Sequence, residues 1–185
     1  LSHAASLTAF GNTVPTSFLR LVPHQEAPTA ICWGDRNRSV LVRVPLGWQN
    51  IDDSMFRDAN PAEPPIDELP NDSQTVELRS PDGSAAVHLL LAGIAVAARI
   101  GLTEPGMADY ARERKVDGDA SQTPDLDQLP GSCFEAAGRL LTQREDYEAK
   151  GVFPTGLIDS WASHLVALGD MHLRDDLADS RISVD

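Results

Sequence analysis

Residues 84–102 read SAAVHLLLAGIAVAARIGL, and the placement of this stretch decides the fold. Its unbroken apolar run extends from Leu89 to Ala98, bounded by His88 and Arg99. Ten residues rise about 15 Å as helix, about half of a bilayer core of ~30 Å, so the run is too short to span a membrane. A helix apolar on every face belongs inside a protein, and a buried core helix is expected here. Asp82 or Ser84 can cap its first amides, and Pro81 sits where a strand should stop. Immediately upstream, TVELRS (75–80) alternates, with Val76 and Leu78 on one face and Glu77 and Arg79 on the other. Farther upstream SVLVRVP (39–45) alternates too, with Val40, Val42 and Val44 opposite Ser39, Leu41 and Arg43. Residues 30–34 read as another strand. Strands with an ionic face backed by an apolar helix indicate an α+β fold with antiparallel-leaning strands.

Outward from this centre the elements change character. Residues 1–10 read as the end of a helix that begins upstream, and 11–28 as loop, punctuated by Gly11, Pro15, Pro23 and Pro28. Residues 46–74 are acidic and carry Pro61, Pro64, Pro65 and Pro70; with little to bury, they predict a mobile surface excursion. Past Gly101 the spacing predicts a short polar helix over 104–115 and an acidic loop over 116–130. Ser132 and Glu135 have the spacing of a capping box, opening a helix to about Lys150 that Gly151 stops. A last long helix is expected over 155–178. The chain thus divides into a sheet-bearing part, 1–103, and a helical region of the same domain, 104–185.

The whole chain has 185 residues, and 42% of them are hydrophobic, enough for a sizeable core. Lys and Arg number 15 against 28 Asp and Glu, for a net charge of −13. Nucleic acid and anionic membrane both attract positive charge, so neither is an expected partner. Cys32 and Cys133 lie too far apart for a CxxC knuckle, form no disulfide framework and suit a reducing cytoplasm. Each is expected as a small buried hydrophobe. The chain opens at Leu1 without a basic stretch leading an apolar one, so no signal peptide is read. Against this acidic background, residues 15–43 hold Arg20, Arg36, Arg38 and Arg43 but only Glu26 and Asp35 as acids. Guanidinium forks suit carboxylate and phosphate. These arginines are therefore either surface decoration or an anionic-ligand site with a metal at Glu77. One carboxylate does not complete a metal site. His3, His24, His88, His164 and His172 are scattered and read as structural or solvated.

Three ordered blocks then carry a resemblance: AFGNTVPTSFLRLVPHQEAP, WGDRNRSVLVRVP and VELRSPDGSA. Over roughly residues 4–102 they resemble the C-terminal part of the catalytic domain of glutamine synthetase. The resemblance implies an ATP-dependent glutamate–ammonia ligase that works through a γ-glutamyl phosphate and uses Mg²⁺ or Mn²⁺. It implies that Arg20 holds the substrate glutamate. Glu26 corresponds to a flap carboxylate that shields the site and helps deprotonate ammonium. Arg38 and Arg43 match arginines that contact the nucleotide phosphates and the acyl-phosphate intermediate, Glu77 a metal-ligand carboxylate, and Arg79 the arginine that stabilises the phosphoryl group in transfer. Homo-oligomeric rings are implied in the same way.

Several positions depart from the family pattern. His24 replaces a glycine, Gln74 and Thr75 replace basic residues, and GSAAVHLLLA follows Pro81-Asp82 where Asn-Pro-Tyr is usual. These departures resemble a divergent branch, nearer the large type III-like enzymes. The β-grasp domain, the metal histidine and most metal carboxylates of the family precede this segment, so the isolated chain is expected to be inert. Two alternatives stand beside the ligase. One is a non-catalytic remnant or split subunit serving as a binding or assembly module. The other is a γ-glutamyl ligase for a different amine.

Overall fold

Alternation at 39–45 and 75–80 becomes a small mixed sheet. In the computed structural model, which describes residues 1–22, 27–45, 58–62 and 75–182, the strands are β1 (Trp33–Asp35), β2 (Val42–Val44) and β3 (Glu77–Leu78), in that spatial order. β2 and β3 are antiparallel, with Val42 opposite Leu78 and Arg43 opposite Glu77. β1 and β2 are parallel, so the antiparallel expectation covers only one of the two pairings. Their connection, residues 36–41, is shorter than the dozen or more residues that usually join parallel neighbours. Arg36 makes this possible. Its φ of 55° turns the chain out of β1, and its amide donates to the Val44 carbonyl at 2.8 Å. The strands are shorter than the alternating runs. At the ends of those runs, single bridges from Ala30 to Gln128 and from Trp33 to Lys115 tie the edge to the later loop.

Eight α-helices are described: α1 (Ala4–Gly11), α2 (Pro15–Arg20), α3 (Val87–Thr103), α4 (Met107–Glu113), α5 (Cys133–Thr142), α6 (Arg144–Glu148), α7 (Leu157–Val166) and α8 (Leu173–Ile182). The loop expected over 11–28 contains α2, which starts with Pro15 in its first turn, where a missing N–H costs nothing. The helix expected to run to Lys150 breaks at Gln143 (φ −110°, ψ 16°), dividing α5 from α6. Lys150 and Gly151 then end the segment with φ of 63° and 68°. The long helix expected over 155–178 likewise divides at Gly169, whose φ of 67° is a left-handed helix stop. The excursion expected over 46–74 falls almost wholly outside the described residues.

Caps differ in detail from the sequence reading. Ser132 accepts from the Glu135 amide at 3.1 Å, as the box requires, but Glu135 returns to the Gly131 amide rather than to that of Ser132. A second cap comes from far along the chain. Buried Asp170 accepts from the amides of Cys133 (2.7 Å) and Phe134 (3.1 Å). At α3 neither Asp82 nor Ser84 caps the helix. Asp82 instead accepts from the Ser84 amide and hydroxyl, closing the turn ahead of it.

The main core lies where α1 packs on α5 and α3, and α5 on α7. Phe10, Leu140, Tyr147, Ile158 and Leu165 are fully buried there. Phe10 stacks on Phe153 with centroids 5.4 Å apart, and Tyr147 meets both edge-on. Gly93 lets α3 approach α1, since an added Cβ would lie 2.9 Å from Leu7 Cδ2 and 3.1 Å from Phe10 Cδ2. The expectation of a helix buried on all sides is overturned. Leu90, Gly93, Val96 and Ile100 are buried, whereas Val87, Leu91 and Leu102 are 57%, 60% and 87% exposed. Only one face of α3 meets α1, and nothing among the described residues covers the other. No single helix among the described residues is long and apolar enough to cross a membrane.

Candidate functional site

The pleat of β3 puts Val76 and Leu78 on one side and Glu77 and Arg79 on the other. Leu78 packs into the core with Val42 and Leu41. Glu77 and Arg79 therefore project from the opposite face, where the register sets Arg43 beside Glu77. Arg43 Nε and Nη2 lie 2.8 and 2.7 Å from Glu77 Oε2. Both side chains are partly exposed, so this pair meets solvent. Arg79 reaches back along β2. Its Nη1 donates to the carbonyls of Arg38 and Val40, the latter at 3.0 Å. Its backbone amide donates to the Leu41 carbonyl at 2.9 Å.

Arg20 approaches the same segment from α2. Its Nη2 donates to the Ser80 carbonyl at 2.5 Å and to that of Pro81 at 3.4 Å, while its Nε is buried without a hydrogen-bond partner. Asn12, fully buried, gives its side-chain amide to the same Ser80 carbonyl at 2.8 Å. Arg43 and Arg20 thus converge on residues 77–81, and Arg79, itself one of them, reaches out to the Arg38 and Val40 carbonyls. Glu26 lies outside the described residues.

Electrostatics follow the same turn. Burial pushes the Asp82 carboxyl up, but the Ser84 and Ser17 hydroxyls, the Ser84 amide and the charge of Arg20 outweigh it. The net effect holds Asp82 below its ordinary range. Ser17 and Ser84 are in turn linked at 3.1 Å, and Thr13 donates to Ser84 from both its amide and its hydroxyl. This network locks the Pro81–Ser84 turn against the loop after α1.

Beside the sheet, a cavity of 490 Å³ opens between the 35–39 turn and the 117–121 loop. Arg36, Arg38, Asp35, Asp117, Asp119 and Ser121 line it. The resemblance gave Arg38 to the nucleotide phosphates, but sequence reasoning missed how its turn is held. Asn37 Oδ1 accepts from the Ser39 amide (2.9 Å) and hydroxyl (2.8 Å). Its amide nitrogen donates to the carbonyls of Val116 (3.1 Å) and Gly118 (2.6 Å). The Ala120 amide closes the clasp by donating to Ser39 Oγ at 2.8 Å. The signal was present as an Asx-type turn in Arg36-Asn-Arg-Ser39, but its distant carbonyl partners have no side-chain signature. A mixed guanidinium–carboxylate rim can take an anionic ligand that also carries hydroxyl donors.

No cluster of three or more His, Cys, Asp or Glu able to hold a metal ion occurs among the described residues. Glu77 Oε2 is already engaged by Arg43. These residues do not by themselves fit a divalent cation, which takes six or more oxygen ligands.

The ordered sequence blocks agree with the comparisons. The family described as "Glutamine synthetase, catalytic domain" matches residues 1–165. A glutamine synthetase of Pyrococcus abyssi is 34% identical over 95% of this chain and 37% of its own length. One from Mycobacterium tuberculosis is 30% identical over 88% of this chain and 30% of its own. One from Salmonella typhimurium is 28% identical over 87% of this chain and 30% of its own. The chain spans about a third of the length of the curated relatives it matches. With a catalytic-domain match over most of its residues, it belongs to the glutamine synthetase family.

Proposed function

We propose that this chain supplies part of the active site of an ATP-dependent glutamate–ammonia ligase. The carrying observation is the Arg43–Glu77 pair flanked by Arg79 on one sheet face, in the order of the family's motifs. Such an enzyme joins glutamate and ammonium to give glutamine while ATP becomes ADP and phosphate. The γ-carboxylate is a poor electrophile until it carries a phosphoryl group, and phosphoryl transfer is catalysed mainly by positioning and positive charge. In this reading Arg79 and Arg43 face the equatorial oxygens, Arg38 the nucleotide phosphates in the 490 Å³ cavity, and Arg20 the glutamate. Glu26 serves as the flap carboxylate that excludes water and receives a proton from ammonium. Mg²⁺ or Mn²⁺, if held at Glu77, draws its other ligands from beyond the described residues. Residues 1–103 form the sheet-bearing part and 104–185 the helical part of one domain, and the complete enzyme is a homo-oligomer.

One observation favours a second reading. Arg20 and Arg79 both donate to backbone carbonyls, a use that a non-catalytic binding or assembly module would retain. The experiment is γ-glutamyl hydroxamate formation by the protein expressed at natural length from its gene, beside the 185-residue chain alone. The ligase reading expects turnover by the former and none by the latter. Turnover by the isolated chain at an ordinary enzyme rate would refute its inertness. Absence of turnover in the natural-length protein with ammonium and with polyamines would favour the module. Turnover with polyamines alone would mark another amine as substrate.

A further inference from the structure

We propose that Arg174, on α8, is a positioning residue for Arg20: it fixes the backbone turn from which Arg20 reaches the substrate glutamate. This deepens the ligase reading and rests on it. The family match ends at residue 165, so Arg174 lies beyond the part of the chain that matches the catalytic domain.

The need for such a residue follows from the length of α2. It has six residues, and a helix this short does not hold its own shape in water. Its last carbonyls have no partners farther along the helix. Phe18 and Leu21 are also buried, so their carbonyls depend on the protein. Arg174 Nη2 donates to both, at 2.7 Å to Phe18 and 3.2 Å to Leu21. A cation there also meets the negative end of the helix dipole. The two carbonyls bracket Arg20 in sequence. Inside the turn the Leu21 amide donates to the Phe18 carbonyl at 3.2 Å and the Val22 amide to the Arg20 carbonyl at 2.9 Å. The guanidinium of Arg174 therefore grips the backbone on both sides of residue 20, while the tip of Arg20 rests on the Ser80 and Pro81 carbonyls. A small rotation of the backbone at residue 20 would be amplified along so long a side chain.

Arg174 is itself anchored. Four residues earlier, buried Asp170 accepts from the Cys133 and Phe134 amides that open α5. The Leu173 amide donates to the Asp170 carbonyl at 3.2 Å. Residues 170–174 thus hold the start of α5 with a carboxylate and the end of α2 with a guanidinium. The placement of Arg20 is referenced in this way to the main core.

The test uses the natural-length protein and reads two quantities. Arg174→Ala should speed hydrogen exchange of the Leu21 and Val22 amides about tenfold, the scale of one lost charge-assisted hydrogen bond, while amides of α1 keep their wild-type rates. In γ-glutamyl hydroxamate formation the same variant should raise KM for glutamate about tenfold and leave kcat and KM for ATP within about twofold, because a loosened Arg20 weakens glutamate binding alone. Arg174→Lys keeps a donor and the charge and should recover most of both effects. Arg112→Ala removes an exposed arginine of α4 and should reproduce neither. Unchanged exchange at Leu21 and Val22 overturns the proposal whatever the turnover, as does exchange that rises equally throughout α1. Faster exchange with an unchanged KM for glutamate, an equal rise in KM for glutamate and ATP, or the same rise in Arg112→Ala overturns it as well. Wild-type protein that makes no hydroxamate defeats the ligase reading, and the exchange rates then decide whether Arg174 fixes the turn.

Discussion

Glu77 illustrates how a residue can matter little to stability and greatly to chemistry. Its pair with Arg43 is partly solvent-exposed on both sides, and such pairs contribute about 0–1 kcal/mol. Glu77→Gln should therefore shift a denaturation midpoint by less than about 1 kcal/mol. If Glu77 acts as proposed, the same change should lower turnover of the natural-length enzyme by about 10²-fold or more, the scale of losing one preorganised electrostatic group. Unchanged turnover would make the pair structural. Cys133 yields a prediction of a different kind. Burial, with Asp170 beside it, pushes its thiol up to about 12. Because the folded pKa lies above the unfolded one, its contribution to stability is complete below pH ~9 and declines as pH rises toward 12. Native protein at pH 8 should resist a disulfide exchange reagent until unfolded. The positions of Arg43, Glu77 and Arg79 were legible because strand alternation fixes which residues share a face. The carbonyl targets of Arg20 and Arg79 were not, since every residue has a carbonyl and only the fold selects one.

Elements show where local rules yield to tertiary contacts. The first turn of α5 is capped by its own Ser132, which the sequence announces, and by Asp170, which it does not. Asp170→Ala leaves the buried Cys133 amide and the part-buried Phe134 amide without that acceptor and should cost about 1–3 kcal/mol, measured by urea unfolding. Gly34 in β1 holds a different constraint. A Cβ there would lie far inside contact distance of the Val116 carbonyl oxygen, which is backbone and cannot rotate away. Gly34→Ala should destabilise by about 1–3 kcal/mol and loosen the loop that walls the 490 Å³ cavity. The turn ahead of α3 gives a pH signature. Asp82 titrates below its unfolded value, so its contribution is present above the ordinary carboxylate range and is lost as pH falls through the depressed pKa. The stability gap between the native protein and Asp82→Asn should narrow on acidification from pH 6 to pH 3. Helix existence was legible from apolar spacing, and helix breaks less so. Gly169 offered a stop signal, but Gln143 carries none. The apolar run of α3 showed that this helix touches a core; it could not show that Val87, Leu91 and Leu102 stay exposed.

At the scale of the whole molecule, the two regions separated by composition at about residue 103 share one interior. α1 packs on α5, His3 bonds Asp146 at 2.9 Å, Ser6 bonds Tyr147 at 2.6 Å, and Trp161 Nε1 donates to the Ala9 carbonyl at 2.8 Å. The sequence marked each helix but not this closure, because hydrophobicity says what is buried and not against which segment. Closure has a consequence for the order of birth of the chain. α1 emerges from the ribosome well before α5 is made, and at ~5–20 residues per second the delay is about 7–26 seconds. Through that interval Phe10 lacks Tyr147 and Phe153, the rings it packs against. Slowing translation between α1 and α5 should lengthen the time that Phe10 spends without those rings.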